Sequence, residues 1–244
     1  MGAYRSGVSF CVDKWVSWPD GLEDTVFSDA LDAHSVNEAT SATDLSFVDP
    51  MLRRRLGRLS RMALHVAHKA DVDFSAGSAV FASRHGELGR SVDILNQLAQ
   101  GDMPSPAAFS LSVHNATAGV YSIASNTTIP STTIAAGEET LLWALCEACL
   151  RLKEHESVLV VYADEPLPSE YASFSDTNES AHAIAIRIKR GDAFRLSWQA
   201  SSSQTIGTLP LSLAILSWVS HPAEGFSWNG HRLSIQGNGS ASAH

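Results

Sequence analysis

The 244-residue sequence lacks features that would place it in several common classes of protein. Its three cysteines, an odd number, give no disulfide framework and fit a reducing compartment. The beginning of the chain has no apolar stretch of signal-peptide length, because Asp13 and Lys14 interrupt it. The longest late apolar run, residues 209–219, is too short to cross a bilayer. We therefore expect a cytoplasmic protein without membrane association.

Positive charge is also scarce, because 17 Lys and Arg residues stand against 26 Asp and Glu residues, for a net charge of −9. Such a surface would repel nucleic acid over most of its area, so no nucleic-acid partner is expected. The local exception is a run of arginines on a predicted helix: Arg53, Arg54, Arg55, Arg58 and Arg61. Two interpretations stay open, a solvated helix face or a dock for an anionic partner or a phosphate-bearing cofactor arm.

Common catalytic and cofactor signatures are missing as well. The sequence has no Gly-x-Ser-x-Gly elbow, no Gly-rich phosphate loop and no His-Glu-x-x-His. Cys146 and Cys149 form a Cys-x-x-Cys pair, but they lie in the middle of a predicted helix, which favours core packing over redox chemistry. His65 and His68 could share a metal, yet no third ligand is near in sequence, so a structural role is favoured. No metal or cofactor is expected.

The hydrophobic periodicity predicts strands and helices in alternation. Strands are expected at 7–12, 79–83, 131–136, 158–163 and 231–236, with a hairpin of 181–188 and 193–198 turned at 190–192. Helices are expected at 51–70, 88–100, 115–125, 138–152 and 211–219. On the second helix, Val92, Leu95 and Leu98 are predicted to face inward. This order indicates one α/β domain over 1–236, a mixed sheet with helices on both faces, and a frayed tail at 237–244.

The most informative stretch runs from residue 109 to residue 152. An Asn-x-x-x-Gly pattern at 115–119 lies on a helix of small residues, and a Pro-Ser-x-x-Ile strand at 130–134 leads into an amphipathic helix. This resembles the β-ketoacyl synthase family of the thiolase-like fold. The resemblance implies a thiolase-like half-fold, with a five-stranded mixed sheet, helices on both faces and the hairpin near its C-terminus.

In that family a nucleophilic cysteine begins the helix after this strand, where the helix N-terminus lowers the thiol pKa and stabilises the oxyanion. When the two patterns are aligned, Glu138 falls at the cysteine position. A carboxylate cannot form the family's acyl thioester, so the resemblance implies no catalytic residue here. The family's second half supplies two histidines, and His182, His221 and His231 do not match their motifs.

A ketosynthase-like chain without its cysteine resembles a chain-length factor, the non-catalytic partner in type II polyketide and related systems. Its short form, the segment RRRLGRLSRMAL and the sequence around VHN resemble those of aryl polyene gene clusters. The resemblance implies a heterodimer with a catalytic ketosynthase, paired across the strand 131–136, and action on acyl chains held by an acyl carrier protein. Arg58 and Arg61 are implied in carrier docking. The implied interface or acyl-tunnel residues are Phe109, Leu111, Val113, His114, Asn115, Ala116, Thr117, Ser131 and Thr133.

Two other functions stay open. One is a stand-alone thioesterase or acyltransferase that uses Ser131 or Ser112 with one of the ten histidines, although nothing in the spacing supports it. The other is a homodimeric scaffold built from the ketosynthase half-fold. Such a scaffold would bury the same edge strand against a second copy and would not change product length.

Overall fold

A mixed β-sheet forms the centre of the molecule. The structure, a computed structural model, describes residues 7–22, 42–73, 75–174, 180–198, 210–221, 226–229 and 233–237. Within these residues the sheet has seven strands, in the order β3-β2-β4-β5-β7-β6, with β1 paired to β5. The strands are β1 (Gly7–Trp18), β2 (Ser78–Ala82), β3 (Ser131–Ile134), β4 (Ser157–Asp164), β5 (His182–Trp198), β6 (Phe226–Asn229) and β7 (Leu233–Gly237). β3, β2 and β4 are parallel, and β5 is antiparallel to both of its long neighbours.

Helices cover both faces of this sheet. They are α1 (Pro50–Arg53), α2 (Arg58–Ala70), α3 (Leu88–Ala99), α4 (Pro106–Ser110), α5 (Ala116–Ala124), α6 (Thr140–Arg151) and α7 (Leu211–Ser220), with short 3₁₀ turns at Gly137–Glu139 and Ser169–Phe174. α6 and α7 pack on one face, and α2 and α5 pack on the other. The predicted α/β class is confirmed, although the described sheet has seven strands rather than the five expected.

The alternation of side chains along β5 explains how the two faces differ. Ile184 and Ile186 point to the α6–α7 face, while Ala183 and Ala185 point to the α2–α5 face. The small alanine side chains allow α2 to lie close to the sheet. Both sets are almost fully buried, so the sheet is a true central layer.

The predicted hairpin between 181–188 and 193–198 is wrong. β5 continues through this region, and both of its halves pair with β1. A register shift between Phe10 and Cys11 leaves residues 190–193 outside the pairing, as an irregularity and not a chain reversal. The reason is the length of β1, which at 12 residues spans both halves. A C-terminal hairpin exists instead between β6 and β7.

Two helix predictions also need correction. The single helix expected at 51–70 is divided into α1 and α2, because residue Gly57 is extended and precedes α2. On α3, Val92 is buried as predicted, but Leu95 and Leu98 are 57% and 51% exposed. The predicted tail beyond 237 and residue 231 lie outside the described residues. No helix in the described parts of the chain is long and apolar enough to cross a membrane.

Candidate functional site

The parallel strands β3, β2 and β4 end at the same edge of the sheet, which we call the carboxyl edge. In open α/β sheets, ligands bind outside the carboxyl ends of the strands. Here the edge is formed by the segments that follow the three strands: residues 135–139, 83–87 and 164–165. The start of the antiparallel strand β5 lies at the same edge, since His182 is opposite Asp164.

Glu138 lies where the chain leaves β3 and enters α6. Gly137 has a φ of +58°, a value that a glycine adopts without strain and that produces the sharp entry. Thr140 closes the turn, because its hydroxyl donates to the carbonyl of Gly137 at 2.7 Å and accepts from the N–H of Ala136 at 2.9 Å. The side chain of Glu138 is exposed to solvent, next to the positive end of the helix dipole.

Asp164, at the end of β4, is a buried carboxylate with a full set of donors. It accepts from the Ser83 hydroxyl at 2.7 Å, from the N–H of Arg84 at 2.9 Å and from the Tyr162 hydroxyl. The carbonyl of Ser83 in turn lies 2.9 Å from Nε2 of His114. His114, an expected tunnel residue, thus fixes the segment before α5 to the end of β2.

A second buried polar cluster joins three helices. The hydroxyl of Ser60 on α2 donates to the carboxylate of Glu87 before α3, and its oxygen lies 2.8 Å from Thr117 Oγ1 on α5. Burial raises the pKa of Glu165, and the nearby charge of Glu87 raises it further while Arg58 opposes this. Thr117, an expected interface residue, is only 6% exposed, so it holds α5 in place from inside the chain.

His182 and Ser212 form the pair that most resembles a base and a nucleophile. Nε2 of His182 lies 2.8 Å from the Ser212 hydroxyl, and Nδ1 lies 2.9 Å from the carbonyl of Ser180. Both side chains are only 2% exposed, so the pair connects β5 to the first turn of α7. The two serines considered for catalysis differ from it. Ser112 donates to the carbonyl of Phe109 at 2.9 Å, and Ser131 is exposed and makes no side-chain hydrogen bond within the described residues.

β3 is an edge strand in the described part of the sheet, since it pairs with β2 alone. The carbonyls of Pro130 and Ile134 accept bonds from the β2 side. Because main-chain groups alternate between the two sides of a parallel strand, those of Ser131 and Thr133 point away from the sheet. An exposed edge of this kind is a template for pairing with another chain.

The helix beside this edge has a distinct outward side. On α5 and at its N-cap, Asn115, Gly119 and Ile123 recur every four residues and are exposed, Ile123 by 72%. A Cβ added to Gly119 would meet no atom within 4 Å, so the space above it is open. Another backbone could therefore approach this helix closely.

Exposed apolar side chains are concentrated in the same part of the molecule. Of ten large hydrophobic side chains exposed in the described residues, six lie between positions 95 and 123: Leu95, Leu98, Met103, Phe109, Val113 and Ile123. Residues 103–137 also contain no Asp, Glu, Lys or Arg. We call the exposed surface of residues 103–137 the charge-free face. Sequence reasoning found Phe109 and Val113 in this face but missed Ile123, and the gap in charge was the available signal.

Comparison with known proteins now gives the family. The family described as Beta-ketoacyl synthase, N-terminal domain, matches residues 28–234, which is most of the chain. The chain belongs to the β-ketoacyl synthase family. No functionally curated protein matches the sequence.

Solved ketosynthase structures resemble this member of the family. A chain of the ketosynthase ApeO in complex with its chain length factor ApeC from Xenorhabdus doucetiae is 25% identical, with a TM-score of 0.79, and the match covers 95% of this chain and 100% of that one. The ishigamide ketosynthase/chain length factor matches with a TM-score of 0.57 and 18% identity over 79% of this chain and 65% of that chain. A β-ketoacyl synthase from Burkholderia phymatum STM815 matches with a TM-score of 0.52 and 13% identity, over 72% of this chain and 56% of that chain. These likenesses confirm the thiolase-like fold.

The arginines around α1 and α2 of this chain differ in whether their side chains are bonded within the chain or lie on its surface. Arg61 donates to the carbonyls of Leu56 at 3.1 Å and Arg53 at 2.7 Å, so its guanidinium holds the turn between α1 and α2. Arg58 is exposed, with its guanidinium 5.8 Å from the centre of the Trp18 ring. The side chains that remain on the surface are those of Arg54, Arg55 and Arg58.

The cysteine pair, Cys146 and Cys149, and the histidine pair, His65 and His68, have structural roles. Burial raises the pKa of Cys146, and it raises that of Cys149 to about 12, which keeps both thiols protonated and unreactive. Their predicted place in the core is confirmed. Nδ1 of His65 accepts a hydrogen bond from the N–H of Asp44, and the ring of His68 stacks on Phe47 at 4.2 Å. Within the described residues, no group of three or more His, Cys, Asp or Glu side chains could hold a metal ion.

Proposed function

We propose that this chain is the chain-length-factor subunit of a heterodimeric β-ketoacyl synthase. The observation that carries the proposal is the match to a chain of the ApeO–ApeC complex, which covers 95% of this chain and all of that one. Such mutual coverage means that the two chains have about the same length. The similarity therefore extends to a complete subunit of a ketosynthase assembly.

The chemistry at the carboxyl edge supports a non-catalytic role. Glu138 occupies the position where the aligned family pattern has its cysteine, and a carboxylate cannot carry an acyl group as a thioester. The buried polar groups nearby have partners inside the chain: Asp164 accepts from the Ser83 hydroxyl, and His182 is bonded to Ser212. They hold the strands and helices of this edge in place, and the partner subunit supplies the nucleophile.

The partner is a full ketosynthase, and it binds the charge-free face. The outward main-chain groups of Ser131 and Thr133 have no strand partner among the described residues. Together with the open space over Gly119 and the exposed Phe109 and Val113, they favour an interface here. By contrast, most side chains of α6 and α7 on the opposite side of the sheet are buried, and Leu150 is the one large apolar side chain among the described residues of these helices that is exposed. The edge strand then continues into the partner's sheet.

The mechanism we propose is steric. Side chains of the segment from Phe109 to Thr117 that face outward meet the acyl tunnel at the subunit boundary, and their size limits how far a growing chain extends. Of the predicted tunnel residues in this segment, Phe109, Val113 and Asn115 are exposed, Leu111 and His114 are half-buried, and Ala116 is buried like Thr117. The products are polyketide-type chains of the aryl polyene kind, built on an acyl carrier protein.

The carrier docks through charge. An acidic carrier protein would be repelled by most of a surface with a net charge of −9, so a local basic patch determines where it binds. Of the two arginines implied by the resemblance, Arg58 is exposed to solvent, whereas Arg61 donates to two main-chain carbonyls. Docking therefore depends on Arg58 directly and on Arg61 through the turn that it stabilises.

Reconstitution tests the proposal. A catalytic ketosynthase from the source organism is assayed for condensation of carrier-bound acyl chains in three mixtures: alone, with this chain, and with its Glu138→Ala variant. Condensation only when both subunits are present, with full activity for Glu138→Ala, is the expected result. Activity of this chain alone on acyl thioesters would support the stand-alone thioesterase or acyltransferase instead. Loss of activity in Glu138→Ala, with the complex intact, would give Glu138 a chemical role and contradict the steric account.

A further inference from the structure

α3 carries an apolar stripe that begins in the core of this chain and continues beyond it. Leu88, Val92, Leu95 and Leu98 recur at helical spacing. Val92 is buried, whereas Leu95 and Leu98 are more than half exposed. A helix whose apolar side extends past its own core indicates that another molecule completes that core.

The stripe is continuous with the charge-free face. α3 contacts α4, and Met103 between them is 89% exposed. The only charged residue between Leu95 and Phe109 is Asp102. Exposed apolar side chains with few charges among them are the composition of the central part of a protein–protein interface.

We propose that Leu95, Leu98 and Met103 form a second part of the interface with the catalytic ketosynthase, and that the ketosynthase presents an uncharged, apolar surface to them. This inference rests on the proposed function, because the same partner covers both parts. Continuity favours a single occupant, since α4 packs against α3 and carries Phe109 of the charge-free face. A separate protein bound at α3 would have to share α4 with the ketosynthase.

The test introduces charge on two sides of the same helix. Leu95→Lys and Leu98→Lys place an ammonium group in the proposed contact, and Gln97→Lys adds the same charge on the opposite side of α3 from Leu95. All three positions are exposed, so thermal melting of the full chain should be the same for each variant. Affinity for the ketosynthase is measured by titration. We expect each leucine variant to bind about tenfold more weakly or worse, and Gln97→Lys to bind like the unchanged chain.

The outcomes separate this inference from the proposed function. If the leucine variants bind like the unchanged chain while a bulky residue at Gly119 abolishes binding, the second contact is refuted and the heterodimer stands. If Gln97→Lys weakens binding as much as the leucine variants, net charge explains the effect and the second contact is refuted. If the unchanged chain does not bind the ketosynthase at all, the proposed function and the inference both fail.

Discussion

The N–H of Asp44 donates a hydrogen bond of 2.7 Å to Nδ1 of His65. The acceptor nitrogen must be unprotonated, so the bond requires neutral His65 with its proton on Nε2. Burial lowers the pKa of His65, and the charge of Lys69 lowers it further, while Asp20 and Asp44 offset part of this effect. The segment that His65 holds carries Leu45 and Val48 into the core under α2.

Stability should therefore fall under mild acid. Because the pKa of His65 is lower in the folded chain than its ordinary value of 6.5, the unfolded chain takes up protons first. The contribution of His65 is complete above pH 6.5 and is lost as the pH falls below it. Thermal melts between pH 8 and pH 5 should show a steeper loss for the unchanged chain than for His65→Gln. A His85→Gln control should keep the steep slope; equal slopes for all three would contradict the assignment.

The two arginines implied in carrier docking should respond differently to removal. Arg58→Ala should weaken binding of an acidic carrier protein, most clearly at low salt, and the lost contact with the Trp18 ring should cost at most about 1 kcal/mol of stability. Arg61→Ala removes two charge-assisted bonds to the carbonyls of Leu56 and Arg53, which should cost about 1–3 kcal/mol of stability. Denaturant titration and carrier binding at two salt concentrations check both. A carrier affinity insensitive to Arg58 would remove it from the docking surface.

Gly119 gives the most selective way to break the interface. A Cβ added there meets no atom within 4 Å, and replacing a helical glycine gains up to about 1 kcal/mol in helix propensity. Gly119→Leu should therefore keep or raise the melting temperature of the chain while abolishing binding to the ketosynthase. Gln97, exposed on the side of α3 opposite Leu95, provides the control Gln97→Leu, which should leave binding intact. Full binding by Gly119→Leu would exclude α5 from the interface.

Phe109 should set product length if it faces the acyl tunnel. It is 62% exposed in this chain, so Phe109→Ala should have little effect on stability. Removing the ring should let the growing chain extend further and shift the products to longer species. Mass spectrometry of products from the reconstituted enzyme measures this. An unchanged product distribution would remove Phe109 from the tunnel floor.

Sequence patterns predicted the elements that bury a regular face. The continuous apolar run of β4 and the small-residue helix α5 form as expected. β4 is buried on both faces and α5 is buried on one side, so the apolar pattern of each matches its surroundings. The hairpin prediction for β5 is wrong because Arg190-Gly191-Asp192 looks like a turn; among the described strands that pair with β5, β1 alone is long enough to keep it extended. Leu95 and Leu98 were predicted to be buried because their spacing is that of a core helix. An apolar stripe that contacts another subunit has the same spacing, so the sequence alone does not distinguish the two.

In the candidate site, too, local features could be predicted from the sequence and long-range contacts could not. The position of Glu138 at the entry of α6 could be read from the motif, since a left-handed Gly137 and the adjoining strand define it locally. The contacts of Thr117 with Ser60 and of His182 with Ser212 could not, because each joins residues 30 or more positions apart through the tertiary fold. The charge-free face was visible in the sequence, but exposure is what distinguishes an interface from a core.

Co-purification with a catalytic ketosynthase from the source organism tests the central claim most directly. The two proteins are co-expressed with an affinity tag on this chain, and the mass of the purified species is measured in solution. The account predicts a stable complex with one ketosynthase for each copy of this chain, and only the tagged chain when Gly119→Leu is used. A monomer or a homodimer of this chain, recovered without the ketosynthase, would contradict the account.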